Sequence, residues 1–348
     1  MKELTVKASV CYNIFIGNGL ISECGRICKN IFSDKKIALI TDTKTFSLYS
    51  GKVKESLENC GFSVYEYAMP EGEENKTPKT LFRIISFLSD NNFTRKDTVI
   101  ALGGGVVGDT AGLAAALYMR GIRFIQIPTT VIAAVDSSIG GKTAVNTEKG
   151  KNIIGAFHQP SLVICDTDTL KTLPKEIYDD GFAEIIKYAM IADYSLFDKI
   201  SDKKNIEEII YTCDCIKKDA VEKDEFDGGC RMLLNFGHTL GHAVEKISNY
   251  KLSHGKSVSI GMAMITKACV KSKKCPEEIY NKLIKSLNEY NLPTESGFSA
   301  EEIFNSAVSD KKSTGNGITL ILPTDRGRCE LYKATFDELK TFIRLGLQ

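Results

Sequence analysis

Three of the four histidines in this chain, His238, His242 and His254, fall within LLNFGHTLGHAVEKISNYKLSH (233–254). Imidazoles gathered this closely point to metal binding or to proton transfer near neutral pH. His238 and His242 are four apart, so on a helix both rings leave one face, the spacing that paired metal ligands use. Thr239 stands where the H-E-x-x-H of zinc proteases needs its glutamate, which removes that class. Catalytic zinc takes three protein ligands and keeps a fourth position open, so a carboxylate is the natural complement. Glu184, in GFAEIIKYAM, is the leading one, with Lys187 three residues on along the same helical face. Spacing alone equally allows Glu184 and Lys187 to be a routine surface pair, and the histidines to be plain polar contacts.

A second constellation lies in VIALGGGVVGDTAGLAAALYM (99–119), which reads as a strand, a glycine turn and a small-residue helix. Glycines at 103, 104, 105 and 108 permit positive φ and close backbone approach. The N–H groups at the start of the following helix then form a cradle for a pyrophosphate. The spacing departs from G-x-G-x-x-G, so an ordinary Rossmann dehydrogenase fits imperfectly, and a tight turn without a ligand is the alternative. SSIGGKTAVN (137–146) contains GKT, but Asp136 stands five residues before Gly141, where a P-loop needs glycine. Lys142 is either a cation presented by a Gly-flanked turn or a solvated loop lysine.

These residues need elements to hold them. In the first half, KIALIT (36–41), DTVIALGGG (97–105), FIQIPTT (124–130) and SLVICD (161–166) read as buried strands. They alternate with helical patterns such as TPKTLFRIISFLSDNN (77–92), an arrangement that predicts a parallel sheet covered on both faces. Beyond about 175 the pattern turns helical, interrupted by a hairpin of ITLILP (318–323) and CELYK (329–333). Thr335 and Glu338 predict a capping box on the last helix. The expected organisation is an α/β unit over 1–175 and a mainly α-helical unit over 176–348. Lys+Arg 45 against Asp+Glu 44 leaves a charge of +1, which excludes a nucleic-acid or anionic-membrane partner as a composition-level expectation. No apolar run approaches 18 residues, and the N-terminus lacks a signal-peptide core, so the expected location is cytoplasmic. The eleven scattered cysteines, without a C-x-x-C pair, are expected as thiols.

In order, GGGVVGDTAGLAAALYMRG, QIPTTVIAAVDSSIGGKTAVNTEKGKNIIGAFHQP, TLPKE…GFAEIIKYAMI, RMLLNFGHTLGHAVE and HG…SIGM resemble the 3-dehydroquinate synthase family, within the sugar-phosphate cyclases, from about residue 36 to 325. The resemblance implies a Rossmann-like N-terminal domain binding NAD and a helical C-terminal domain binding metal and substrate. It also implies one divalent metal (zinc or cobalt) and a homodimer with its active site in the cleft between domains. Its metal ligands match Glu184, His238 and His254, while His242 matches a substrate contact.

The family's NAD contacts match Asp42 and the run Glu71, Gly72, Glu73, Glu74, Asn75 and Lys76. They also match Gly104, Gly105, Val106, Val107, Gly108 and Asp109, then Thr129 and Thr130, Lys151, and Thr169, Leu170, Lys171 and Thr172; Lys142 borders this set. Substrate contacts match Asp136, Lys142, Asn152, Lys187, Lys217, Arg231, Asn235 and His242. One of Lys311 and Lys312 matches a further anion contact, and Arg120 an arginine that reaches the neighbouring subunit's site.

The implied substrate, 3-deoxy-D-arabino-heptulosonate 7-phosphate, carries a phosphate and a carboxylate, which suits several Lys and Arg in a chain of almost no net charge. The implied reaction is transient oxidation at C5 by NAD, phosphate elimination, re-reduction and intramolecular aldol closure to 3-dehydroquinate. Departures from the family pattern at Glu176, Ile177 and Lys256 miss all of these contacts. Other sugar-phosphate cyclases, a metal-dependent polyol dehydrogenase and a non-enzymatic NAD-binding sensor are the alternatives. GGKTAVN and GKNIIGAF, with phosphate-binding groups, argue against the dehydrogenase.

Overall fold

A computed structural model describes residues 1–32, 36–202, 205–309 and 317–348; Lys311 and Lys312 lie outside the described residues. The described residues form two compact units, Met1–Leu173 with Lys217–Phe226, and Pro174–Ile216 with Asp227–Gln348. A single cut at 175 would give Lys217–Phe226 to the second unit; it groups with the first.

The first unit contains β1 (Lys2–Lys7), β2 (Cys11–Gly17), α1 (Leu20–Ile31), β3 (Lys36–Asp42), the one-turn α2 (Thr43–Thr45), α3 (Gly51–Asn59) and β4 (Ser63–Met69). There follow α4 (Pro78–Asp90), β5 (Thr98–Gly103), α5 (Gly105–Leu117), β6 (Arg123–Pro128), β7 (Lys142–Thr147), β8 (Gly150–Phe157) and β9 (Leu162–Asp166). Seven strands form one sheet in the order β1-β2-β9-β6-β5-β3-β4, parallel except for the β1–β2 pair. The predicted strands are its middle, and their unbroken apolar runs follow from burial on both faces. Successive residues serve opposite faces. Ile37 and Leu39 pack with α1 and α3 residues such as Cys24 and Leu57. Ala38 and Ile40 pack with Leu81 of α4 and Val107 and Ala111 of α5. The antiparallel edge strand β1 and the separate β7–β8 hairpin were not anticipated. Lys142 opens β7 instead of lying in a loop.

The second unit contains α6 (Lys175–Ile191), α7 (Leu196–Ser201), the first part of α8 (Ile206–Lys223), α9 (His238–Ile247), α10 (His254–Lys271), α11 (Glu277–Glu289) and α12 (Ala300–Ser309). It ends with the hairpin β10 (Gly317–Asp325) and β11 (Arg328–Thr335), then α13 (Phe336–Leu347). The capping box is present: Glu338 N donates to Thr335 Oγ1 at 3.2 Å, and Thr335 N to Glu338 Oε2 at 2.7 Å. α10 is the central helix, packed by α6, α9, α11 and α13. That explains a composition (SVSIGMAMITKACV) apolar almost all round.

Candidate active site

In the second unit, α6, α9 and α10 bring Glu184, His238 and His254 together from up to 70 residues apart. Their ligand atoms lie within 4.8 Å of one another. Glu184 Oε1 is 3.5 Å from His238 Nε2 and 3.2 Å from His254 Nε2, and its Oε2 pairs with the buried Lys187. The Glu184–Lys187 pair is therefore an interior one and not a surface pair. The three imidazoles are mutual neighbours, with ring centroids 5.2–5.8 Å apart. His242 is exposed, one turn beyond His238, and stands outside the Glu184 set.

Glycine makes this convergence possible. Gly237 has φ +79°, and a Cβ there would strike Met262 and come within 3.0 Å of the Val258 carbonyl. A Cβ on Gly241 would lie 2.9 Å from the Ser257 carbonyl. One on Gly261 would overlap the Gly237 carbonyl and lie 2.6 Å from Gly241 N. α9 and α10 thus cross backbone against backbone, which seats His238, the first residue of α9, beside His254, the first residue of α10. Asp180 of α6 anchors the α10 end, accepting from Gly255 N at 3.1 Å, Lys256 N at 2.9 Å and Ser253 Oγ.

The electrostatics suit a cation. Burial is the largest influence on His238 and pushes its pKa down to about 3, keeping the ring neutral. Its Nδ1 lies 3.1 Å from the Phe236 carbonyl, which can only accept, so Nδ1 carries the proton. The Nε2 lone pair then faces the Glu184 carboxylate, two acceptors that only a cation or a shared proton can reconcile. Burial is the largest influence on His254 and lowers its pKa, but the Glu184 and Glu245 carboxylates together outweigh it and raise the value to about 10. Burial alone would raise the Glu184 pKa; Lys187 and the two histidines hold it well below the usual carboxylate range. Two imidazoles and one carboxylate match a catalytic zinc or cobalt donor set.

In the first unit, the expected cofactor residues gather by topology. Asp42 ends β3, Glu71–Lys76 follow β4, Gly104–Asp109 follow β5, Thr129 and Thr130 follow β6, and Thr169–Thr172 follow β9. All sit at the carboxyl edge of one parallel sheet. The strand order reverses between β3 and β5, and such sheets bind ligands at that edge and at such a reversal. The α5 N-terminus has Gly104 as its N-cap and no side-chain cap, leaving its first N–H groups for an anion. Asp42 accepts from Lys44 N and Thr45 N at 2.9 Å. Tyr49 ties this corner to the β9 turn, donating to Thr169 O at 3.0 Å and contacting Thr172.

A polar network continues from there. Lys76, nearly buried, reaches Asp109 Oδ2 and Asn152 Oδ1, each at 2.6 Å. Asn146 donates to Glu73 Oε1 at 2.8 Å and accepts from Asn152 N at 3.0 Å, and Lys151 lies 3.6 Å from Glu73. Asp136 and Lys217, 81 residues apart, form an ion pair. Burial raises the Asp109 pKa above the ordinary carboxylate value, with Lys76 opposing. Lys76→Met is expected to cost about 3–5 kcal/mol at neutral pH, the range for removing one partner of a buried pair. A carboxyl whose folded pKa is raised favours the folded state at low pH and loses that contribution as pH rises through the folded pKa. The Lys76→Met deficit should therefore shrink on acidification, as Asp109 takes a proton. Urea melts of both proteins across pH 4–8 check this, and a deficit independent of pH would contradict it.

Arg120 is placed apart. α5 leaves the carboxyl edge and spans about 20 Å over 13 residues, so Arg120, just before β6, lies at the opposite edge and is exposed. Arg231 (buried) and Asn235 lie in a 3-10 turn, Cys230–Asn235, that leads into His238 and packs on α6. Sequence reasoning gave no role to Asp180, Glu245, Asn146 or Tyr49. Their types are ordinary, and only the fold brings them to the site.

Comparison with known proteins accords with both halves. The family descriptions "3-dehydroquinate synthase N-terminal" and "3-dehydroquinate synthase C-terminal" match residues 66–180 and 181–313. A 3-dehydroquinate synthase of Streptococcus thermophilus is 42% identical over 342 residues, 95% of this chain and 96% of the relative. One of Clostridium acetobutylicum is 42% identical over 343 residues, 96% of each chain. Among solved structures, 2-deoxy-scyllo-inosose synthase, complexed with carbaglucose-6-phosphate, NAD+ and Co2+, shares the fold with TM-score 0.89 at 24% identity, covering 99% of both chains. The 2-epi-5-epi-valiolone synthase of Streptomyces hygroscopicus, with NAD+ and Zn2+, gives 0.88 at 23%, covering 98% of both. An α/β unit with its strand-end polar set, a helical unit with two histidines and a glutamate converging, and full-length matches at this identity agree: the chain belongs to the 3-dehydroquinate synthase family.

Proposed function

We propose that this chain performs the 3-dehydroquinate synthase reaction of the shikimate pathway with NAD and one zinc or cobalt ion bound. It is a carbon–oxygen lyase acting on a sugar phosphate, 3-deoxy-D-arabino-heptulosonate 7-phosphate. The observation that carries the reading is the convergence of Glu184, His238 and His254, with the neutral His238 turning its Nε2 lone pair on the Glu184 carboxylate. When bound at these groups, the metal supplies Lewis acidity toward the substrate hydroxyls at C4 and C5, and NAD a transient hydride acceptor for C5.

The chain's own residues do the rest. Glycine at 104 and 105 lets the α5 N-terminus approach the pyrophosphate. Asp42, Lys151, the Glu71–Lys76 segment, Thr129, Thr130 and Thr169–Thr172 hold the remaining parts of the dinucleotide. Lys142, Asn152 and His242 bind the phosphate and hold it against C6, so that its own oxygen takes the C6 proton on departure. Arg231, Asn235 and one lysine of 311–312 suit the carboxylate. Asp136, Lys187 and Lys217 orient the hydroxyls. The position of Arg120, at the sheet edge opposite the cofactor residues, supports its service to the site of a second copy in a homodimer. No helix among the described residues is long and apolar enough to cross a membrane.

The test is phosphate release from the heptulosonate phosphate with catalytic NAD and added metal. Many phosphates per NAD without NADH accumulation is the expected result; stoichiometric NADH indicates a dehydrogenase instead. His254→Ala is expected to lose bound metal. His242→Ala should keep it and slow turnover by about 100-fold or more, the scale of a lost proton-transfer or positioning group. Metal content reversed between the two variants would sink the ligand assignment.

A further inference from the structure

His254 is held at both ring nitrogens. Nε2 faces Glu184 at 3.2 Å, while Nδ1 faces Glu245 Oε2 at 4.0 Å from the other side. Glu245 is buried on α9, three residues beyond His242. His238 is served differently, by the Phe236 carbonyl at its Nδ1. We propose that Glu245 is a positioning residue for the metal, accepting the Nδ1 proton of His254 so that the Nε2 lone pair points to the ion. This inference rests on Glu184, His238 and His254 being the metal ligands.

The chemistry follows from the two donors' partners. A carboxylate behind an imidazole fixes its tautomer and raises the basicity of the far nitrogen, whereas a backbone carbonyl fixes the tautomer with less charge transfer. His254 is therefore the more basic of the two nitrogen donors. The 4.0 Å separation is ion-pair distance, beyond hydrogen-bond length. Asp180 anchors the backbone of the same turn through Gly255 N and Lys256 N, so the α10 end and the ring are fixed by different carboxylates. The atoms of His242, Glu245 and His254 also lie within 4.8 Å of one another, a set that could seat a second cation. Such a cation would draw on the same imidazole and the same carboxylate, so the two uses compete and stoichiometry separates them.

The experiment uses full-length metal-free protein and Co2+ as the probe. It reads affinity by competition with a chromophoric chelator, together with the visible cobalt spectrum, the number of ions bound and the melting temperature. Wild type should bind one Co2+ per chain. Glu245→Gln should bind it about 10–100-fold more weakly, the range for groups behind metal ligands. Its cobalt bands should shift, with the metal-free melting temperature unchanged. Glu245→Asp, which keeps the charge, should recover part of the affinity. Should Glu245→Gln melt lower without metal, the Asp variant decides: a loss equal to that of the amide overturns the proposal. Wild-type affinity and spectrum in Glu245→Gln overturn it, as do two Co2+ per wild-type chain. Wild type binding no Co2+ overturns the metal reading itself, and the inference with it.

Discussion

Glu184→Gln is expected to bring turnover to background and to lower metal affinity by more than about 100-fold, beyond the range seen for groups that only support a ligand. The amide keeps the shape of the side chain and removes the charge at the centre of the site. Glu184 is fully buried, and its two oxygens face His238, His254 and Lys187. Its low pKa, set by Lys187 and the two histidines against the opposing effect of burial, means that the carboxylate is present throughout the physiological range. The substitution should also destabilise the metal-free protein, by up to about 3–5 kcal/mol, because the buried Lys187 ammonium loses its counter-charge. Metal analysis, turnover and denaturant melts read the three effects. A variant that binds metal normally while melting lower would make Glu184 a structural counter-ion and no ligand.

Gly261→Ala should be among the most damaging single methyls in the second unit. Its Cβ would overlap the Gly237 carbonyl and lie 2.6 Å from Gly241 N, both backbone atoms that no side-chain rotation can move aside. Overpacking of this kind costs about 1–3 kcal/mol, occasionally more. The strain has a direction here: α9 must retreat from α10, carrying His238 away from His254. The expected result is a lower melting temperature together with metal affinity reduced at least about tenfold, since ligand geometry tolerates only about 0.5 Å. Gly297→Ala is the control; nothing lies within 4 Å of the added carbon, and its φ needs no glycine. It should stay within about 0.5 kcal/mol of wild type. Equal metal affinity in Gly261→Ala and wild type would show that the close crossing does not set the ligand geometry.

Much of the architecture was legible because burial writes itself into composition. KIALITD, TVIALG, RFIQIP and LVICD are predominantly apolar and buried almost throughout, a pattern suited to strands covered on both faces, and they became β3, β5, β6 and β9. The edge pair β1–β2 and the β7–β8 hairpin escaped. An exposed strand such as GKNIIGAF (burial from intermediate to exposed) shows no alternation to read. Lys142 was accordingly read as a turn residue.

The site divides the same way. Residue chemistry in the sequence pointed to a metal-capable histidine cluster and a glycine turn able to take a pyrophosphate, and the family resemblance added a set of expected anion-binding cations. Order and spacing were enough to assign the family. Which groups meet was decided by tertiary structure. Local spacing pairs His238 with His242, yet the Glu184 carboxylate selects His238 and His254, because three glycines let α9 and α10 touch backbone to backbone. Glu184 and Lys187, readable as a surface pair, are buried because α6 is covered around their turn. Asp180 and Glu245 gain their roles only through contacts made across 75 and 9 residues of chain, one with the backbone and one with the ring of a single turn. Sequence supplies the functional groups along one dimension; distance, burial and therefore pKa exist only once the helices have packed.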